Sequence, residues 1–78
     1  MEITINQKLN QAITAHQEGR LEEAEKLYRE ILEIQPNSLD ANNNLGVLLQ
    51  YYNKFEEAEK LYKKAIELKP DYAEAYSN

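Results

Sequence analysis

The chain has no cysteine, one histidine, two glycines and two prolines in 78 residues. Without cysteine there are no disulfides, no thiol nucleophiles and no cysteine-ligated zinc, which argues against a stapled secreted mini-protein. With a single histidine, no cysteine and no Gly-rich phosphate loop, neither metal nor cofactor is expected. Basic residues are also short: nine Lys and Arg face fourteen Asp and Glu, a net charge of −5. Phosphate binding needs clustered positive charge, so nucleic acid and anionic membrane surfaces are not expected partners. The apolar stretch at Gly46–Leu49 falls far short of the roughly 20 residues that cross a bilayer. Met1–Ile5 lacks the basic and long apolar regions of a secretory signal. A cytoplasmic chain is the expectation. With few turn-forming residues and no sustained alternation of apolar and polar positions, the composition points to an all-α protein of one small domain.

What is present is a repeat. Glu22-Glu23-Ala24-Glu25-Lys26-Leu27-Tyr28 recurs 34 residues later as Glu56-Glu57-Ala58-Glu59-Lys60-Leu61-Tyr62. At the same offset Pro36 matches Pro70, Glu33 matches Glu67 and Asn10 matches Asn44. Internal identity at a period of about 20–50 residues is the mark of stacked helical or β units. The chain therefore divides within a single 1–78 domain into units 5–38 and 39–72, with 73–78 opening a third. The third unit reads as an excerpt from a longer array.

Each unit reads as two helices. Thr4-x-x-Gln7 forms a capping box for a helix over 5–18, with Ile5, Leu9, Ala12, Ile13 and His16 at helical spacing. Gly19 suits a left-handed turn, and a second helix runs over 21–34 until Pro36 stops it. Asn37 or Ser38 caps a helix over 39–51, Asn53 takes the place of Gly19, and 55–68 is the partner helix. Asp71-x-x-Glu74 predicts a fifth helix from about Ala73.

The period, the paired helices and the anchors Leu45, Gly46, Ala58, Tyr62, Ala65 and Pro70, with Ala12, Ala24, Tyr28 and Pro36 in the first unit, resemble the tetratricopeptide repeat. Tyr76 stands at that family's early aromatic position. The resemblance implies a right-handed superhelix of antiparallel helix pairs and a non-catalytic role in protein binding. Two departures stand out. Gln7, Lys8 and Gln11 occupy usually apolar positions, as a capping repeat requires, and Asn42 replaces the early aromatic, which is expected to loosen that layer. The segment Ala12–Tyr28 is also similar to N-terminal repeat leaders of bacterial multidomain proteins, including glycosyltransferases of the O-GlcNAc transferase type.

No catalytic set can be assembled, and an enzyme is not expected. His16 beside Glu18 could be read as a metal ligand but fits better as a packing histidine next to Ile13. Glu22 and Glu23, like Glu56 and Glu57, are neighbours at helix starts, where they complement the helix dipole. Tyr28 and Tyr62 are core positions, while one of Tyr51 and Tyr52 should be exposed, either as an interface anchor or through incidental packing. Asn10, Asn44 and Asn78 recur at 34-residue intervals along one line of the stack. An amide carries both a donor and an acceptor. The resemblance implies that such a ladder can hold an extended peptide by its backbone; the alternative is ordinary helix packing. Its groove positions fall on Asn6, Leu9, Ile13, His16 and Gln17 in unit one. In unit two they fall on Asp40, Asn43, Val47, Gln50 and Tyr51, with Glu74 and Ser77 beyond. The basic clamp by which some relatives hold acidic tails is not supported, because Leu9, Ile13, Glu74 and Asn78 stand where it needs other residues.

The leading expectation is a scaffold that binds a protein partner, as a peptide or helix, in a concave groove. A second is a structural solenoid segment that stacks on further repeats or on itself. A third is a substrate-presenting leader of an enzyme. For the second, the open end is expected at Leu61, Tyr62, Ala65, Leu68 and Tyr76, giving a homodimer through the C-terminal side.

Overall fold

In the computed structural model, residues 4–69 are described, and they form four α-helices: α1 (Ile5–Gln17), α2 (Leu21–Ile34), α3 (Leu39–Tyr51) and α4 (Phe55–Leu68). Among the described residues there is no strand. The predicted fifth helix, together with Pro70, Tyr76 and Asn78, lies outside them.

Local chemistry sets each boundary. The Thr4 hydroxyl accepts from the Gln7 N–H at 3.1 Å while the Thr4 N–H donates to Gln7 Oε1 at 2.8 Å, completing the capping box. At the far end of α1, Gly19 takes φ +80°. The Arg20 N–H then reaches back to the Ala15 carbonyl at 2.8 Å, and that of Gly19 to His16 at 3.2 Å. This pair of bonds is the Schellman termination, which depends on a residue with positive φ. It recurs one repeat on, where Asn53 has φ 64°, Lys54 N–H donates to the Leu49 carbonyl at 2.8 Å and Asn53 N–H to that of Gln50 at 3.0 Å. Of the two candidate caps for α3, Ser38 serves: its hydroxyl accepts from the Ala41 N–H at 3.2 Å. Arg20 and Lys54 precede α2 and α4 without a side-chain cap, and Glu22, Glu23, Glu56 and Glu57 place negative charge on those first turns instead.

Each helix packs on the next in the chain, and α1 also touches α3. The core consists of Ala12, Ala15, Ala24, Tyr28, Leu45, Leu48, Leu49, Ala58 and Tyr62. Alanines at the crossings let the backbones approach, and the tyrosines fill the space beside them. Contact is closest at Gly46, where a Cβ would lie 2.6 Å from Tyr62 Cε1 and 2.9 Å from Cδ1. Ala12 and Tyr28 hold the same registers in the first pair, and both are buried.

Asn42 does not loosen its layer. It is buried, and its Nδ2 donates to the Ser38 carbonyl at 2.7 Å and the Pro36 carbonyl at 3.1 Å. An amide thus ties the inter-repeat turn to α3 where an aromatic would only fill volume. Between the two pairs, Arg29 spans from Glu25 on its own helix to Glu57 on α4, at 2.9 Å each.

Because the Tyr62 ring already touches the Gly46 backbone, a branched side chain there has nowhere to go. Gly46→Val is expected to lower the unfolding free energy by about 2 kcal/mol, read as an earlier midpoint in urea. An unchanged midpoint would mean that the α3–α4 crossing is looser than this geometry.

Candidate functional site

The site is built on α1 and α3 with one side chain from α2. Ile13, His16 and Gln17 of α1, Tyr28 of α2 and Asn44 of α3 line one cleft of about 340 Å³. Helical spacing puts Ile13, His16 and Gln17 on one face of α1. Tyr28 reaches the cleft from below: it is 1% exposed, and its Oη lies 3.2 Å from His16 Nδ1. The two rings meet edge to face, with centroids 6.0 Å apart. His16 is therefore a packed, hydrogen-bonded histidine. Burial lowers its pKa below the ordinary 6.5 and pushes the Tyr28 phenol up to about 12. Among the described residues no three His, Asp or Glu side chains are grouped to hold a metal ion.

The same tie recurs 34 residues on, where the Tyr62 Oη donates to Gln50 Oε1 at 2.9 Å. Gln50 stands at the register of His16, and Val47 and Tyr51 at those of Ile13 and Gln17. Val47 is half-buried, Gln50 is exposed and Tyr51 is 73% exposed. Asn78, at the register of Asn44, lies outside the described residues.

The other predicted residues are distributed differently. Asn44 is half-buried in the cleft, but Asn10 lines a separate cleft with Gln11, Thr14, Arg20 and Glu23. The structure thus gives Asn10 and Asn44 different neighbours despite their equal registers. Leu9 is half-buried against the core. Asn43 is 2% exposed, and its Oδ1 has no hydrogen-bond partner among the described residues. So placed, it cannot touch a docked chain, and the same register carries Leu9 in the first unit. Tyr62 and Ala65 are buried, Leu61 and Leu68 only in part. The sequence reading missed Phe55 and Ile34, which are 59% and 60% exposed. It also missed the bridge from Arg29 to Glu57. The signal for Phe55 was available in a large aromatic replacing Leu21 at an equal register.

A tetratricopeptide-repeat family model matches residues 4–71. The chain belongs to the tetratricopeptide-repeat family. No curated protein matches it. Repeats of this family generally serve as protein–protein interaction scaffolds and are typically non-catalytic. None of the described helices of this repeat protein is long and apolar enough to cross a membrane.

The His16–Tyr28 tie makes a pH prediction. A folded-state pKa below 6.5 means that the folded chain binds fewer protons than the unfolded chain as pH falls through that value. Its contribution is fully present above 6.5 and is lost as pH drops toward the folded pKa. His16→Gln copies the Gln50–Tyr62 pair and removes this titration. The variant should lose less stability than the parent between pH 7 and about 5, followed by thermal melts. Parallel pH profiles for the two proteins would contradict the burial of His16.

Proposed function

We propose that this chain is a non-catalytic scaffold that holds an extended peptide or a helix in the groove lined by α1 and α3. The observation that carries this reading is the cleft at Ile13, His16, Gln17, Tyr28 and Asn44, which draws side chains from three helices. It offers an amide, an apolar wall and an imidazole held by a buried phenol. Such a set favours a neutral backbone over a charged tail. One repeat on, Val47, Gln50 and Tyr51 stand at corresponding registers, so the groove offers a second station along the same line, with Asn78 as its amide. Tyr51 supplies the exposed aromatic anchor of that station. The first helices of units 5–38 and 39–72 each contribute one face to this surface, and the third unit expected over 73–78 lies outside the described residues. A cytoplasmic location accords with this role.

A peptide selected from a random library on the 78-residue chain tests the reading. Asn44→Ala should weaken that peptide by about fivefold or more while shifting the melting temperature by no more than about 2 °C. A selected peptide whose NMR footprint avoids Ile13, His16 and Asn44 would end the groove assignment.

A second reading, self-association or stacking on further repeats, is favoured by the half-buried Leu61 and Leu68 on α4. Tyr76 belongs to the same expected surface, whereas the buried Tyr62 and Ala65 would support it from beneath. Sedimentation from micromolar to millimolar concentration separates the two readings. A rising mass that Leu61→Lys and Leu68→Lys abolish is expected of stacking, and a constant monomer rules it out.

A further inference from the structure

Two buried phenols, 34 residues apart, act on the groove in the same way. Tyr28 is 1% exposed and Tyr62 is 7% exposed. A phenol has one proton to donate, and a buried one needs an acceptor for it. Burial raises the pKa of both rings, so each keeps that proton. For Tyr62 the acceptor is Gln50 Oε1 at 2.9 Å. For Tyr28 the partner among the described residues is His16 Nδ1 at 3.2 Å. If Nδ1 carried the imidazole hydrogen, the phenol proton would be left buried with no acceptor. Nδ1 is therefore the accepting nitrogen.

That choice fixes the other side of each groove residue. Burial lowers the His16 pKa, so the ring is neutral at neutral pH and carries one N–H. With Nδ1 accepting, the hydrogen sits on Nε2. Among the described residues Nε2 has no partner, and it is reached by solvent. Gln50 is arranged alike: its oxygen is turned to Tyr62, which leaves its amide N–H groups on the far side of an exposed residue. Histidine and glutamine differ in shape and in titration. What they share is an acceptor at one end and an N–H at the other. Asn44 and Gln17 have no such tie among the described residues, and an untied amide can present either edge. His16 and Gln50 are thus the two groove positions with a set hydrogen-bonding polarity.

We propose that His16 Nε2–H and Gln50 Nε2–H form a matched pair of donors, aimed by Tyr28 and Tyr62, that select main-chain carbonyl oxygens of an extended peptide. The assignment rests on the groove reading above and adds the polarity of what the groove selects. The net charge of −5 disfavours a carboxylate, the other common acceptor.

The first test needs no peptide. Long-range proton–nitrogen NMR of the isotope-labelled 78-residue chain, at mildly alkaline pH, shows which His16 nitrogen is protonated. The Nε2–H form is expected, and Tyr28→Phe should let the Nδ1–H form appear. A parent chain in the Nδ1–H form would overturn the proposal. The second test uses a peptide selected on the chain from a random library, synthesised with free and with amidated C-termini. Glutamate still accepts from the phenol but has no N–H. His16→Glu and Gln50→Glu should therefore each weaken the amidated peptide by about fivefold or more. His16→Gln and Gln50→His, which keep both ends of the tie, should bind far better than the Glu variants. The tautomer measurement on the parent stands even if a Glu variant fails to fold. Unchanged affinity in the Glu variants, with a footprint on Ile13, His16 and Asn44, would overturn this proposal and leave the groove reading in place. A footprint elsewhere would end both. Binding that is lost on amidation would assign the donors to a carboxylate and overturn the choice of carbonyl.

Discussion

The structure depends on a tyrosine ring packed where a helix has almost no side chain. Tyr62 lies against Gly46 so closely that a single carbon would collide with it, and Tyr28 and Ala12 hold the equivalent registers. Volume is thus removed from one helix and supplied by the other, as close packing of an interior demands. The phenol creates a second requirement, because a buried hydroxyl needs a partner. That partner comes from the first helix of each pair, His16 in one and Gln50 in the other. The same ring therefore sets the helix spacing from its face and holds a first-helix side chain from its hydroxyl. Core and cleft are parts of one arrangement.

That coupling explains which features were legible in the sequence. The four helices could be placed because their signals are local: Thr4 and Gln7, Gly19 and Asn53, Ser38, and the 34-residue offset itself. Only the end of α1 differs, by one residue, since Glu18 becomes its cap. Of the cleft residues, Asn44 could be named from the 34-residue register, and Ile13, His16 and Gln17 from the first-helix positions that the family resemblance implies. The neighbours of each residue could not. Asn10 and Asn44 share a register, yet Asn44 has a preceding helix pair to border, and Asn10 borders Arg20 and Glu23 instead. Asn42 reads in sequence as a missing aromatic, and only the path of the 36–38 turn shows two carbonyls within its reach. Asn43 next to it reads as a surface amide, and only the approach of neighbouring helices buries it.

Repetition also works as an internal control. A residue with a counterpart in a different environment shows what that environment contributes. Leu21, which shares a cleft with Tyr52, is half-buried, and Phe55 at the same register is 59% exposed. His16 and Gln50 show that the tyrosine hydroxyl can pair with either an imidazole or an amide oxygen, so the histidine is one solution to a packing problem and not a signature of chemistry.

The bridge from Arg29 to Glu25 and Glu57 gives the two helix pairs an uneven connection. It consists of half-exposed charges, worth on the order of 1 kcal/mol or less and screened by salt. The α2–α3 packing between the pairs rests on buried apolar side chains that salt does not weaken. Of the two links between the pairs, the ionic one is therefore the part that added salt weakens, while the apolar one is left intact.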